Sequence, residues 1–323
     1  MSWTAAMFSR QPEKFRQVYS DEVLKRVRNK TSLFPRLITP DNFQQHQDQL
    51  RHVDVIFSTW GMFPLTEEQL NALPALKIVF YAAGATDYFA APFISRGVRI
   101  VSAWKANAIP VAEFCLAQIL LGCKGYFRNS REYTHPEKFD ALAHHHQAPG
   151  IYQEKVALIG GGAISQALQH LLRPFNLETV VVPSRQEKRE VSLEQAFSTA
   201  FIISNHLPNR ADNAGVLNAK LFRLMRPGAV FINTGRGMQV NEADLIAVLQ
   251  ERPDLTALLD VSKPEPPAAG SPLYILPNVQ LTTHIAGALN NEVGRLTDYI
   301  LEDFERWKNK EALWYEVGKD IYK

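Results

Sequence analysis

Short apolar runs alternate along this chain with segments in which apolar positions recur every three or four residues, the rhythm of strands and helices taken in turn. In the N-terminal third, Ala5–Phe8, Val53–Phe57, Ile78–Tyr81 and Val98–Val101 read as buried strands. A helix is predicted from near Pro12, where Phe15, Val18, Val23, Leu24 and Val27 form one stripe, and Pro64 and Pro74 bracket a short helix at Thr66–Ala72. A long helix is expected from about Ile109 to Arg131, apolar nearly all round in its first half, which implies burial against a domain or a partner subunit. His135–Gly150 reads as an irregular connection, and its triplet His144–His146 lacks the spacing that would aim three nitrogens at one metal ion.

From Lys155 onward the rhythm becomes regular. Strands are predicted at Val156–Ile159, Thr179–Val182, Phe201–Ser204, Val230–Asn233, Leu255–Leu259 and Val279–Thr282, with helices at Ala163–Arg173, Leu193–Ser198, Asn218–Met225 and Glu242–Gln250. Such alternation implies an α/β fold with a doubly wound parallel sheet covered on both faces. The tail, Ala288–Lys323, reads as an amphipathic helix (Leu289, Val293, Leu296, Ile300, Phe304, Trp307) with no strand of its own, so it is expected to return to the N-terminal unit.

Composition narrows the class. A chain of 323 residues, 46% hydrophobic and 21% charged, can build two ordinary globular domains. Its net charge of +2, from 35 basic and 33 acidic residues, makes no case for nucleic acid or an anionic membrane as partner. No apolar run approaches the roughly 20 residues that span a bilayer, and the N-terminus lacks a secretory pattern. Cys115 and Cys123 fall in one expected helix, about 12 Å apart along its axis, too far for a disulfide. Reduced core thiols and a cytoplasmic location are therefore expected.

Candidate chemistry clusters where predicted strands end. Val156–Ile159 runs into Gly160, Gly161 and Gly162 and then a helix, the parts that hold a dinucleotide pyrophosphate. The G-x-G-x-x-G fingerprint is met at Gly160 and Gly162 and broken at Ser165. After the next strand, where NAD sites carry an acidic residue, this chain has Pro183, Ser184 and Arg185, with Lys188 and Arg189 close by. A small hydroxyl beside cations suits a 2′-phosphate, so NADPH is expected as cofactor, with NADH possible. A second corner follows at His206-Leu207-Pro208. Arg236, Glu265 and His284 then stand after three consecutive late strands. Each alone is an ordinary surface residue; together they supply a proton donor, a carboxylate to hold it and a cation for an acidic substrate.

Several motifs in fixed order carry a resemblance over most of the chain: NAIPVAEF at 107–114, the glycine turn, HLP at 206–208, RPGAVFINTGRG ending at Gly237, LLDVSKPEPP at 258–267 and LPNVQLTTHIAG at 276–287. In these the chain resembles the D-isomer-specific 2-hydroxyacid dehydrogenases, a group that includes glyoxylate/hydroxypyruvate reductases and phosphoglycerate dehydrogenases. The resemblance implies a Rossmann dinucleotide domain over 105–287. It implies also a smaller flavodoxin-like α/β substrate domain built from both chain ends, 1–104 and 288–323, with the active site in the cleft. It implies an NAD(P)H-dependent oxidoreductase interconverting a 2-oxoacid and a D-2-hydroxyacid, with His284 as acid/base, Glu265 hydrogen-bonded to it and Arg236 binding the substrate. Gly160, Gly162, Ala163, Ile164, Ser184, Arg185, His206, Pro208, Thr234, Gly235 and Gly287 would line the cofactor, and Asp260 would face the nicotinamide carboxamide. Backbone amides of Ala83, Gly84 and Ala85 would receive the substrate carboxylate, no metal is implied, and the helix Ile109–Phe127 would form a homodimer.

The chain departs from the family pattern at Ser165, at Ala163 (often basic), at Arg210 (often Thr) and at Ala85 (often Gly). Two rival readings share the fold: a dinucleotide-sensing regulatory or corepressor-like protein, and a formate- or phosphite-type dehydrogenase.

Overall fold

The computed structural model describes residues 3–144 and 148–318, so His145 and His146 of the histidine triplet lie outside the described residues. The chain divides into two compact units, Met1–Asn107 with Ala288–Lys323, and Ala108–Gly287. The first division falls inside a helix, three residues after the expected boundary at 104.

Unit 1 holds strands β1 (Trp3–Phe8), β2 (Thr31–Ile38), β3 (Val55–Ser58), β4 (Ile78–Tyr81) and β5 (Arg99–Ser102) in one sheet of order β2-β1-β3-β4-β5. Every pairing is parallel. This is the flavodoxin-like order. Both faces are covered, which is why the strands read as unbroken apolar runs. Ala6, Phe8, Ile56, Val79 and Tyr81 enter one core cluster, and Ala5, Met7, Val55, Phe57, Ile78 and Phe80 the other. The helix Val293–Lys308 brings the chain end back onto the second face. Its Phe304 ring stands edge-on to Phe57 at 5.3 Å and Phe80 at 5.5 Å. Truncating a side chain buried this way costs about 3–5 kcal/mol.

Strand β2 has no counterpart among the predicted strands. Pro35 interrupts its pattern, and the register between β1 and β2 shifts between Ala5 and Met7. Proline cannot donate to a ladder, so it survives here because β2 is an edge. The stripe from Phe15 to Val27 is two helices, Pro12–Val18 and Asp21–Arg28, because the Ser20 hydroxyl accepts from the Val23 N–H and starts a new helix.

Unit 2 holds β6 (Glu154–Ile159), β7 (Leu177–Val182), β8 (Ile202–Asn205), β9 (Val230–Asn233), β10 (Thr256–Leu259) and β11 (Val279–Leu281). They form one parallel sheet of order β11-β10-β9-β8-β6-β7. From β6 the chain first adds β7 on one side, then crosses to add every later strand on the other. The switch point therefore lies between β6 and β8, where ligands of doubly wound sheets bind.

The long helix runs from Trp104 to Cys123 rather than from Ile109 to Arg131, and a second helix, Tyr126–Glu132, starts after Gly125. The first is as apolar as a membrane span, with mean hydropathy 1.5 over eighteen residues, although no run in the sequence had pointed to one. Half of that window is buried inside the protein. Ala112, Cys115, Ile119 and Cys123 belong to the core of unit 2, which accounts for the apolar character. Both cysteines are free and buried, and burial pushes their thiols up to about 11 and about 12.

Candidate active site

The glycine turn is built by contact with the next loop. Gly160 adopts φ +106°, and a Cβ there would stand 2.6 Å from the His206 carbonyl oxygen, so only glycine fits. Gly162 is the N-cap of the ten-residue helix Ala163–Leu172, and no side chain caps it. The first N–H groups of that helix are thus left for an anion. Ser165, at the broken third position of the fingerprint, is fully buried, and its hydroxyl donates to the Gly160 carbonyl. A serine therefore packs where glycine is usual because its one polar atom is satisfied within the turn.

After β7 the corner Pro183–Ser184–Arg185 is held from behind. Arg189 donates from Nε to the Pro183 carbonyl at 2.8 Å and from Nη2 to the Ser184 carbonyl at 2.9 Å. Arg185 is exposed and Ser184 half-buried.

His206 follows β8 and is 6% exposed. Its Nε2 lies 2.9 Å from Ser204 Oγ and its Nδ1 3.2 Å from Thr234 Oγ1, so hydroxyls occupy both ring nitrogens. Burial pushes its pKa down to about 3, and the ring is neutral. It is the main chain of His206, not the ring, that abuts the Gly160 turn.

Arg236, half-buried after β9, donates from Nη1 to the Gly235 carbonyl at 2.8 Å and makes no ion pair among the described residues. Asp260, after β10, is 4% exposed. Its Oδ1 accepts from Thr282 Oγ1 at 2.6 Å and from the Ile285 N–H at 2.7 Å, and its Oδ2 from the Ala286 N–H at 3.1 Å. The carboxylate is thus engaged by the loop that carries His284, a role the sequence did not indicate. His284 sits in that loop at φ +60°, a conformation few non-glycine residues adopt. Its Nδ1 is 2.6 Å from Glu265 Oε1, with the two side chains 49% and 42% exposed. A pair this exposed stabilises a fold by at most about 1 kcal/mol. Gly287 closes unit 2 just beyond.

In unit 1 the proposed carboxylate loop follows β4. Ser102 Oγ donates to the carbonyls of Ala83 at 2.8 Å and Gly84 at 2.7 Å, and the Ala83 N–H bonds the Tyr81 carbonyl at 2.9 Å. Ala83 therefore has no N–H to offer, whereas Gly84 and Ala85 keep theirs without a protein acceptor among the described residues. No group of three or more His, Cys, Asp or Glu suited to a metal ion occurs among the described residues.

A glycine turn, an uncapped helix N-terminus and a switch point define a dinucleotide-binding unit, and the residues present fit that cofactor. Residues 117–286, more than half of the chain, match the family described as D-isomer specific 2-hydroxyacid dehydrogenase, NAD binding domain. Among relatives, a glyoxylate reductase of Korarchaeum cryptofilum is 25% identical over 80% of this chain and 81% of its own. The human glyoxylate reductase/hydroxypyruvate reductase is 33% identical over 43% and 45%. Among solved structures, the apo D-mandelate dehydrogenase of Rhodotorula graminis superposes with TM-score 0.78, at 21% identity and 98% coverage of both chains. The chain belongs to the D-isomer specific 2-hydroxyacid dehydrogenases, and it is an oxidoreductase dependent on a nicotinamide dinucleotide.

The structure also brings forward polar residues that had been given no role: Ser204, Asn205 and Gln239, outside the quoted motifs, and Asn233 and Thr282, inside them. Asn205 and Asn233 end apolar strands while fully buried. A buried amide at a strand end was the available signal.

Proposed function

We propose that the protein reduces a 2-oxoacid to the D-2-hydroxyacid, with NADPH preferred over NADH. The observation that carries the chemistry is the contact between His284 Nδ1 and Glu265 Oε1 at 2.6 Å. With Nδ1 committed to a carboxylate, Nε2 is the nitrogen left to exchange a proton with the substrate oxygen. Glu265, by holding Nδ1, fixes the orientation of the ring for that transfer. Arg236, a guanidinium with no ion pair among the described residues, forks onto the substrate carboxylate or polarises the carbonyl. In unit 1, Gly84 and Ala85 keep N–H groups without a protein acceptor among the described residues, donors that the carboxylate of an acid would take. When bound, the dinucleotide supplies the hydride. The N-terminus of helix Ala163–Leu172 would receive its pyrophosphate, and Ser184 with Arg185 its 2′-phosphate.

The test is NADPH and NADH oxidation with glyoxylate, hydroxypyruvate, pyruvate and bulkier 2-oxoacids. Turnover faster with NADPH is expected. Tight NADPH binding without turnover of any acid would replace this reading with a dinucleotide-sensing one.

A further inference from the structure

Below Arg236 lies a carboxamide whose hydrogen bonding is complete. Gln239 is 0% exposed. Its Oε1 accepts from the Arg236 main-chain N–H at 3.0 Å and from Asn205 Nδ2 at 2.7 Å. Its Nε2 donates to the carbonyls of Leu207 at 2.6 Å and Pro208 at 3.0 Å. A primary amide has two donors and two acceptor sites, and all are filled. The orientation is forced, because turning the amide over would set two donors against the Arg236 N–H and Asn205, and an oxygen against two carbonyls.

Two further amides extend the network. Asn205 Nδ2 also donates to Asn233 Oδ1 at 2.9 Å, which accepts in turn from the Gly235 N–H at 3.2 Å. Asn205 Oδ1 accepts from the Leu207 N–H at 3.2 Å. Gly235 permits this approach, since a Cβ there would stand 2.7 Å from Gln239 Oε1 and 2.9 Å from Asn205 Nδ2. Gln239 thereby ties the loop after β8 to the loop after β9, and it grips the second of these at the Arg236 main chain.

We infer that Gln239 is a positioning residue for Arg236, holding its main chain against the 206–208 loop so that the guanidinium meets the substrate acid in one place. The inference rests on the substrate role proposed for Arg236. Removing the amide leaves buried donors and acceptors without partners, and the two loops then relax around water.

A double-mutant cycle tests it on the full chain, with NADPH and whichever of glyoxylate, hydroxypyruvate and pyruvate the wild type turns over fastest. Gln239→Met keeps the length and removes every hydrogen bond. It is expected to raise KM for the acid about 10–30-fold while kcat changes by less than about 3-fold. In an Arg236→Ala background the same change should cost less than about 3-fold in kcat/KM, because the group being positioned is gone. Equal losses in both backgrounds would assign Gln239 to general stability and overturn the inference, as would a Gln239→Met enzyme with wild-type KM. An Arg236→Ala enzyme with undiminished kcat/KM would instead remove the substrate role of Arg236, and the inference with it, so the two failures are told apart. If circular dichroism shows Gln239→Met unfolded, Gln239→His carries the cycle, its ring keeping one donor and one acceptor. A loss of about 5-fold is then expected, and one that persists undiminished beside Arg236→Ala overturns the inference.

Discussion

Two histidines of unit 2 follow parallel strands and read alike in sequence, yet they have opposite surroundings. His206 is buried, neutral and bonded through both nitrogens to hydroxyls. His284 is half exposed, set at positive φ and bonded through one nitrogen to a carboxylate. A ring with both nitrogens committed inside the protein can fix a loop but cannot move a proton without breaking the loop. A ring with one nitrogen held and the other open can transfer a proton and be returned to its orientation each cycle. The difference lies in which hydrogen bonds remain unmade, and it recurs at the cofactor corner. There Arg189 is committed to two carbonyls, whereas Arg185 is exposed and makes no ion pair among the described residues.

The sharpest break of the comparison is at His284. His284→Ala should lower kcat for 2-oxoacid reduction about 10²–10⁴-fold, the range for a lost general acid. NADPH affinity, measured by calorimetric titration, should change little. Glu265→Gln keeps a hydrogen-bonding side chain and removes the charge, so a loss of about 10–100-fold is expected. A His284→Ala enzyme with near-normal turnover would end the proton-donor assignment.

What the sequence made legible follows the same division. Gly160, Gly162, Arg236, Glu265 and His284 stood at the ends of apolar runs, where a parallel sheet exposes its ligand edge, so periodicity alone located them. Asp260 entered only through the family resemblance, and its engagement by Thr282, Ile285 and Ala286 was not legible, because no local pattern reports a bond across more than twenty positions. Gln239 was invisible for the same reason: three of its four partners lie at the end of β8 and in the loop after it, about thirty positions away, and the fourth in its own turn. Strand β2 was hidden by Pro35, since an edge position is a property of the finished sheet.

The two arginines give the next largest effect. Arg185→Ala should raise KM for NADPH about 10-fold and leave KM for NADH unchanged, the signature of a lost contact to a 2′-phosphate. Arg189→Ala frees the Pro183 and Ser184 carbonyls and should weaken both cofactors together. Equal effects of Arg185→Ala on NADPH and NADH would withdraw the assignment.

The smallest effect reads the buried histidine directly, through stability rather than rate. In the unfolded chain His206 titrates near its ordinary value of 6.5, while in the folded protein burial holds it neutral down to about pH 3. Between those values the unfolded state binds the extra proton, so stability rises with pH across the window and falls as acid is added. From pH 6.5 to pH 4.5 this one ring should remove about 2 kcal/mol of unfolding free energy. His206→Gln retains a donor and an acceptor for Ser204 and Thr234 but does not titrate. Urea unfolding of both proteins at pH 6.5, 5.5 and 4.5 should therefore show wild type losing more stability than the variant, by about that amount. Parallel losses would mean that the ring takes up its proton in the native state. The contrast with His284 would then be one of exposure alone, not of hydrogen bonds already made.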